Sequence, residues 1–460
     1  MVKKKVLIVL SSRYYIKYLT LNSFQNLKKK YDLSFALKKN SFNNKKKYKF
    51  YKLNSNNKYI LRYLDLIRIR SSTKIKSLTS PLLFRFPTFQ FYKTVFYENK
   101  HKFPFFFYLK NFFIKKVFYK ILSTHLFFKL YKKYLFKKIK HKTEIELLIE
   151  KIKPNLIIYP THYMEADMIY INRSAKLVNS KTYYIVDNWD NLTTKAAVFQ
   201  KANYIGVWGE QSKKHAVKYY NYNSKNIFLL GNNRIDRYFQ YRKKKYKNIK
   251  KIDKPYILFL GTNLLFREEL KCLKILDQKI HQNRLNSKLK IIYRFHPQLN
   301  KNFRSEFNQV KFRNIEINIP SSKFSFLGEK NLIRNKTQSK DYFPLIQNAK
   351  YLMGMTVTTV TLEGFIFGKN YILLDCFDKR SAHVSNTINK YSEYHKGIEN
   401  VEIFKRVKTY TDFFRFIKKK HKKNNQKKID KQMNFFYYNQ NTDYQLKIKN
   451  SVDKILCVDF

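Results

Sequence analysis

Four short polar stretches hold the side chains that could do chemistry. "DNWDN", residues 187–191, sets Asp187 and Asp190 on either side of Trp189. "THYME", residues 161–165, carries His162 and Glu165. His296 stands just after Arg294-Phe295, and "GMTVTTVTLEG", residues 354–364, brings Thr356, Thr358, Thr359 and Thr361 ahead of Glu363. A carboxylate or imidazole beside a reacting hydroxyl can take its proton in the transition state. Asp190 is the candidate base, with Asp187, His162 and Glu165 as rivals. Trp189 would offer the apolar face on which sugar rings pack. The same residues would also suit an Asx-rich turn that caps the next helix, with Trp189 in the core. Threonines at a helix start, where backbone N–H groups lack partners, suit a phosphate. There the four threonines and the helix start would seat the phosphate, Glu363 would accept from ribose hydroxyls and His296 would donate. The alternatives are a Thr-rich N-cap with a satisfied Glu363, and a buried His296 bonded to backbone.

Chemistry of this kind needs elements that bring the stretches to one end of a sheet. The pattern predicts a strand at 5–10, a helix at about 14–29 and a strand at 33–37. Residues 40–140 are rich in Lys, Asn, Phe and Tyr and weakly periodic. From about 143 a clear alternation begins. It has a helix at 144–151, strands at 156–159, 182–186, 204–208 and 227–230, and helices near 165–178 and 210–220 between them. After a basic break, "QYRKKKYKNIKKIDK", strands at 256–260, 289–295, 350–353 and 371–374 alternate with helices at 267–283, 342–349 and 358–368. Strands that are apolar throughout, separated by helices, mean parallel sheets covered on both faces. The fold class is therefore α/β: two tandem Rossmann-like, doubly wound units facing a cleft. All four polar stretches fall at strand carboxyl ends, where such sheets bind ligands. The expected domains are residues 1–240 with an insertion at about 40–140, a linker at 241–254, a second unit at 255–400 and a basic helical tail at 401–460.

Lys+Arg 95 against Asp+Glu 31 leaves a formal charge of +64 over 460 residues. Such a chain invites an anionic partner: nucleic acid, a membrane face or a phosphorylated substrate. The abundance of Lys, Asn, Ile, Phe and Tyr with only Gly 9 and Pro 9 is also what AT-rich coding DNA produces. Three scattered cysteines, Cys272, Cys376 and Cys457, form no disulfide framework and favour a reducing compartment. No His or Cys pair has zinc-ligand spacing, so no structural metal is expected. Lys3-Lys4-Lys5 before Val6–Leu10 has too short an apolar run for a signal core, and no run of about 18 apolar residues predicts a spanning helix. In residues 104–140, Phe113, Val117, Ile121, Thr124, Phe128, Tyr131, Leu135 and Ile139 make a lysine-free helical stripe. That stripe would suit an anionic membrane surface or packing on the first sheet.

The stretches "VDNWDNLTTK", "VWGEQSKKHA", "IFLLGNNRIDRY", "YRFHP" and "MGMTVTTVTLEGFIFGKNYILLD" together resemble a family of bacterial surface-carbohydrate biosynthesis proteins. That family is built like GT-B glycosyltransferases and is similar in pattern to CDP-glycerol glycerophosphotransferases and UDP-GlcNAc 2-epimerases. The resemblance spans roughly residues 143–457. Two departures stand out: the family usually has Ser where this chain has Asn188, and Gly where it has Ala196. The resemblance implies a nucleotide donor on the C-terminal unit, bound by His296, Thr358, Thr359 and Glu363, and an acceptor on the N-terminal one. It implies polysaccharide or lipopolysaccharide synthesis for the cell envelope, with a nucleotide-sugar or CDP-alditol donor and a lipid-linked or polysaccharide acceptor.

No two aspartates stand two residues apart, so the Asp-x-Asp metal motif of the other transferase architecture is missing. Without a metal or other cofactor, helix N-termini and basic side chains must meet the leaving group's charge. Lys195, Arg234 and Arg294 are the candidates, Lys195 and Arg234 as substrate-binding groups. The expectation is thus a metal-independent transferase, cytoplasmic and peripheral on the inner face of the cytoplasmic membrane. A nucleic-acid-binding protein, an epimerase and an inactive relative are the alternatives. No specific nucleic acid is expected, because no reading module stands in the chain.

Overall fold

The computed structural model describes residues 3–11, 18, 22–38, 49–51, 59, 60, 62, 63, 66, 117, 121, 122, 124–139, 142–161, 165–195, 198, 200–243, 255–262, 265–282, 289–296, 306–319, 342–375, 389, 392–419, 421, 424–438 and 443–457. The chain divides into two compact units. The first takes residues 1–233, 391–394 and 435–460; the second takes 234–390 and 395–434.

The first unit is built on seven strands: β1 (Lys5–Leu10), β2 (Asp32–Lys38), β3 (Lys49–Tyr51), β4 (Leu156–Thr161), β5 (Lys181–Val186), β6 (Tyr204–Val207) and β7 (Ile227–Leu229). They lie in the order β3-β2-β1-β4-β5-β6-β7, every pair parallel. β1 shows why the strands are apolar throughout. Leu7 and Val9 enter one core while Val6, Ile8 and Leu10 enter another. Successive side chains point to opposite faces, so a sheet covered on both sides needs apolar residues at every position. The helices on these faces include α1 (His125–Lys138), α2 (Glu144–Ile152), α3 (Asp167–Leu177), the short α4 (Asn191–Thr194) and α5 (Glu210–Tyr220).

The second unit is built on β8 (Tyr256–Leu260), β9 (Lys290–Arg294), β10 (Ile315–Asn318), β11 (Tyr351–Gly354), β12 (Tyr371–Leu374) and β13 (Phe404–Val407). Their order is β10-β9-β8-β11-β12-β13, again all parallel. The helices include α6 (Asn233–Lys243), α7 (Phe266–Gln282), α8 (Thr359–Ile366), α9 (Tyr410–Lys418) and α10 (Gln426–Met433); α11 (Tyr444–Cys457) belongs to the first unit. Both sheets thus have the strand order of a doubly wound Rossmann fold, which reverses direction beside its first strand.

Several local expectations are corrected. β10 lies in a stretch read as loop, and β13 in a tail read as helical. Both are edge strands that expose polar residues, Glu316 in one and Lys405 and Arg406 in the other, so neither has an apolar run. α6 runs to Lys243, into the stretch read as linker. The described part of the helix expected at 14–29 includes a 3-10 turn at Gln25–Leu27. The tail does not stand apart: Tyr444, Ile448, Val452 and Ile455 of α11 complete a core of the first sheet. Among the described residues no helix is long and apolar enough to cross a membrane.

Candidate active site

In the first unit the sheet reverses direction between β1 and β4, and ligands of such sheets bind beyond the strand ends at that point. Ser11 follows β1, Lys38 ends β2, Tyr159 lies near the end of β4, Glu165 precedes α3 and Asp167 opens it. α3 is held by a pairing that starts in α2. Glu146 accepts from the Thr143 backbone N–H at 2.9 Å, capping α2, and also accepts from Arg173 Nη2 of α3 at 2.8 Å.

The result is a cluster of polar groups. Tyr159 OH donates to Glu165 Oε2 at 2.9 Å and stands 2.9 Å from Ser11 Oγ, which also donates to Glu165. Asp167 is fully buried, with Lys38 Nζ 3.8 Å from its carboxylate. Burial pushes the Glu165 carboxyl well above the usual range, and the charge of Asp167 pushes it further, against the pull of Tyr159 and Lys38. Burial raises Asp167 too, and Lys38 opposes this. Two carboxyls that disfavour charge in one place behave as proton donor and acceptor near neutral pH. Of these residues only Glu165 was a sequence candidate. Asp167, Ser11, Lys38 and Tyr159 come from four different elements, and no local motif joins them. His162 lies outside the described residues.

After β5, the Asp187 backbone C=O accepts from Asn232 Nδ2 at 2.9 Å, and its carboxylate accepts from Tyr18 OH at 3.2 Å. Trp189 is 1% exposed, and Tyr394 and Phe436 meet its ring edge-on at 5.0 and 6.0 Å between centroids. An indole so enclosed has no face for a sugar, which corrects that expectation and puts Trp189 in the core. Asp190 precedes α4. Its carboxylate accepts from Thr194 Oγ1 at 2.9 Å and lies 3.7 Å from Lys195 Nζ. The Asp190 backbone C=O accepts from the N–H groups of Thr193 and Thr194.

In the second unit the loop after β11 leads into α8. Gly354 is required by close approach: a Cβ there would stand 2.5 Å from Tyr371 OH, which donates to the Thr356 C=O at 2.8 Å. Thr358 precedes α8 with its N–H donating to Thr361 Oγ1 at 3.1 Å, and Thr359 begins the helix. Glu363 is buried and accepts from Tyr342 OH at 2.9 Å. Burial raises its carboxyl, while Arg234, Tyr342, Tyr238 and Arg294 pull it back. The Arg294 guanidinium lies 4.8 Å from the centroid of the Tyr342 ring. Three sequence candidates, Arg234, Arg294 and Glu363, thus gather around one tyrosine. His296 lies past β9, and burial holds its imidazole below the usual range. Beside Val357, just before α8, a cavity of about 290 Å³ is lined also by Asn389, His395, Lys396, Ile398, Glu399 and Arg406. Lys396 and Arg406 bring it positive charge, and neither was a sequence candidate; Arg406 sits on the unforeseen β13.

No family model matches the chain, and no curated protein matches its sequence. Solved structures do match its fold. A glycosyltransferase from Rickettsia africae is similar over 100% of both chains, at 11% identity and a TM-score of 0.51. A UDP-N-acetylglucosamine 2-epimerase is similar over 99% of this chain and 96% of its own, at 12% identity and a TM-score of 0.50. The chain has a GT-B fold. At these identities the likeness concerns architecture alone, and a GT-B architecture serves transferases and epimerases alike.

Proposed function

We propose that the chain is a nucleotide-sugar enzyme of GT-B type. It transfers a sugar from a nucleotide-activated donor to a lipid-linked or polysaccharide acceptor, working peripherally at the inner face of the cytoplasmic membrane. The observation that carries this reading is the carboxyl cluster of Glu165 and Asp167 at the reversal point of the first sheet. Glu165 is the base: it takes the proton of the acceptor hydroxyl while that oxygen bonds to the anomeric carbon. The bond from that carbon to the nucleotide's phosphate oxygen breaks, and the nucleotide keeps the electron pair. Its charge is met in the second unit by the dipole at the start of α8 and by Lys396 beside it, with Arg406 held 3.2 Å from Asp375. Asp190 has the lesser part of holding Lys195 at 3.7 Å.

The presence of two carboxyls in one cluster supports a second reading, a nucleotide-sugar 2-epimerase, in which one removes and the other returns a proton. One experiment separates the two. The protein is incubated in D₂O with UDP-GlcNAc, a donor of the kind its structural relatives are named for, with and without a lipid-linked acceptor. Deuterium entering the sugar without acceptor identifies an epimerase, and acceptor-dependent release of UDP identifies a transferase. A prior thermal-shift screen selects the donor, since a ligand at 100 times its Kd adds about 2.7 kcal/mol of stability. No shift with any nucleotide sugar would refute both readings.

A further inference from the structure

Within α1, the stripe that would suit either a membrane or the first sheet packs on the sheet. Leu135 and Ile139 are buried, and Phe128 and Tyr131 pack on the same core. The outward side of α1 is a different ridge. Leu126, Leu130 and Tyr134 follow one another at four-residue steps and are 68%, 59% and 46% exposed. Val117 and Ile121, which precede α1, belong to the stripe read from the sequence but are exposed like the ridge. Lys129, Lys133 and Lys137, all exposed, run along the helix three residues after each member of the ridge. Between Glu98 and Glu144 the sequence has no carboxylate at all.

An exposed apolar ridge costs free energy unless something covers it, and its surroundings say what kind of cover fits. A second copy of this helix would set lysine against lysine. A nucleic-acid backbone would meet the lysines but leave the leucines unused. An anionic bilayer satisfies both: Leu126, Leu130 and Tyr134 enter the boundary between headgroups and acyl chains, and the lysines meet the lipid phosphates. We propose that this outward ridge of α1 is the surface by which the protein seats on an anionic membrane. The proposal rests on the membrane-acceptor reading above and specifies the face that reading needs.

The test is co-sedimentation of the full chain with vesicles of phosphatidylcholine and phosphatidylglycerol, and with phosphatidylcholine alone. Three proteins are compared: the native chain, a ridge variant (Leu126→Ser, Leu130→Ser, Tyr134→Ser) and a lysine variant (Lys129→Gln, Lys133→Gln, Lys137→Gln). A fourth, with Lys271→Gln, Lys274→Gln and Lys427→Gln in the second unit, removes equal charge elsewhere. The native chain should pellet with the anionic vesicles only. The lysine variant should lose roughly a hundredfold in partitioning, at about fivefold for each lysine. The ridge variant should lose binding too, and the fourth protein should lose little. All four should keep the same melting temperature and the same response to UDP. If the native chain fails to pellet, the membrane reading itself falls. If it pellets but the fourth protein loses as much as the lysine variant, diffuse charge does the binding and the ridge is overturned. Ridge-dependent dimers in solution without vesicles would overturn it as well, in favour of a second copy.

Discussion

The Tyr159 hydroxyl donates to the Glu165 carboxyl at 2.9 Å, although the carboxyl is already raised by its own burial and by the charge of Asp167. The bond stabilises the ionised form, while burial and Asp167 oppose it. Glu165 is therefore tuned by burial, Asp167 and Tyr159 rather than by its place in the sequence. With its carboxyl pushed up to about 8, Glu165 is a base in its ionised form, which gains population as pH climbs through that value.

Glu165→Gln should lower the transfer rate by about 10²–10⁴-fold, the usual contribution of a positioned base. Its melting temperature should hold or rise, because a buried carboxyl that resists ionisation becomes a neutral amide. Asp190→Asn, which leaves an acceptor for Thr194, should cost less than about tenfold. A larger loss from Asp190→Asn than from Glu165→Gln would move the base to residue 190.

The pH profile has a sign. A base with a raised pKa ionises only as pH climbs through that pKa, so kcat/KM should rise across a limb displaced upward from the ordinary carboxylate range. Asp167→Asn removes a charge that raises Glu165, so the limb should move to lower pH. A rate lowered equally at every pH would reduce Asp167 to a structural role.

Nucleotide binding should depend on a neutral histidine. Burial lowers the His296 pKa, so from pH 7 upward the imidazole is uncharged. His296→Ala should weaken UDP-GlcNAc binding roughly ten- to a hundred-and-fifty-fold, the loss of a hydrogen bond to a charged group. Isothermal titration of both proteins above pH 7 measures this. Unchanged affinity would leave His296 to the fold of the second unit.

Stability should fall as pH rises toward neutrality. Glu269 is buried, accepting from Thr262 and Tyr293, and burial pushes its carboxyl from 4.5 up to about 7. The folded state then holds a proton that the unfolded state has released, so stability is greatest below pH 4.5 and declines through pH 7 as far as this group is concerned. The full effect is on the order of 3 kcal/mol, at about 1.4 kcal/mol per pH unit. Thermal melts of the native chain and Glu269→Gln at pH 5 and pH 7.5 should show the native chain losing more. Parallel losses would remove Glu269 from the account.

Gly354→Ala should test the loop before α8. The added Cβ would meet Tyr371 OH, whose bond to Thr356 shapes that loop. Overpacking of this kind costs about 1–3 kcal/mol. Both melting temperature and nucleotide affinity should fall, and a normal value for either would show that the loop adjusts freely.

The sheets were legible because their strands are buried on both faces. A run such as Val6–Leu10 or Ile157–Tyr159 has nowhere to lie but inside a parallel sheet, and its spacing from the next run leaves room for one helix. The missed strands, β3, β10 and β13, all sit at sheet edges, and β10 and β13 expose polar residues, so their sequences carry no such signal. At the site, strand ends drew attention to Glu165, Asp187, Asp190 and Glu363, because the carboxyl end of a parallel strand is where ligands bind.

Residue types and spacing therefore determined the α/β class, the two doubly wound sheets and the loops worth examining, since burial dictates pattern one element at a time. What those loops hold was decided by tertiary structure. Ser11, Lys38, Tyr159 and Asp167 lie as much as 156 positions apart, yet strand order brings them to one carboxyl. Trp189 turned inward because Tyr394 and Phe436, from far along the chain, close over its ring. The stripe of α1 that left a membrane and the first sheet both open proved to be the buried one, because an amphipathic period states that a helix has two faces and only its neighbours choose which meets the core.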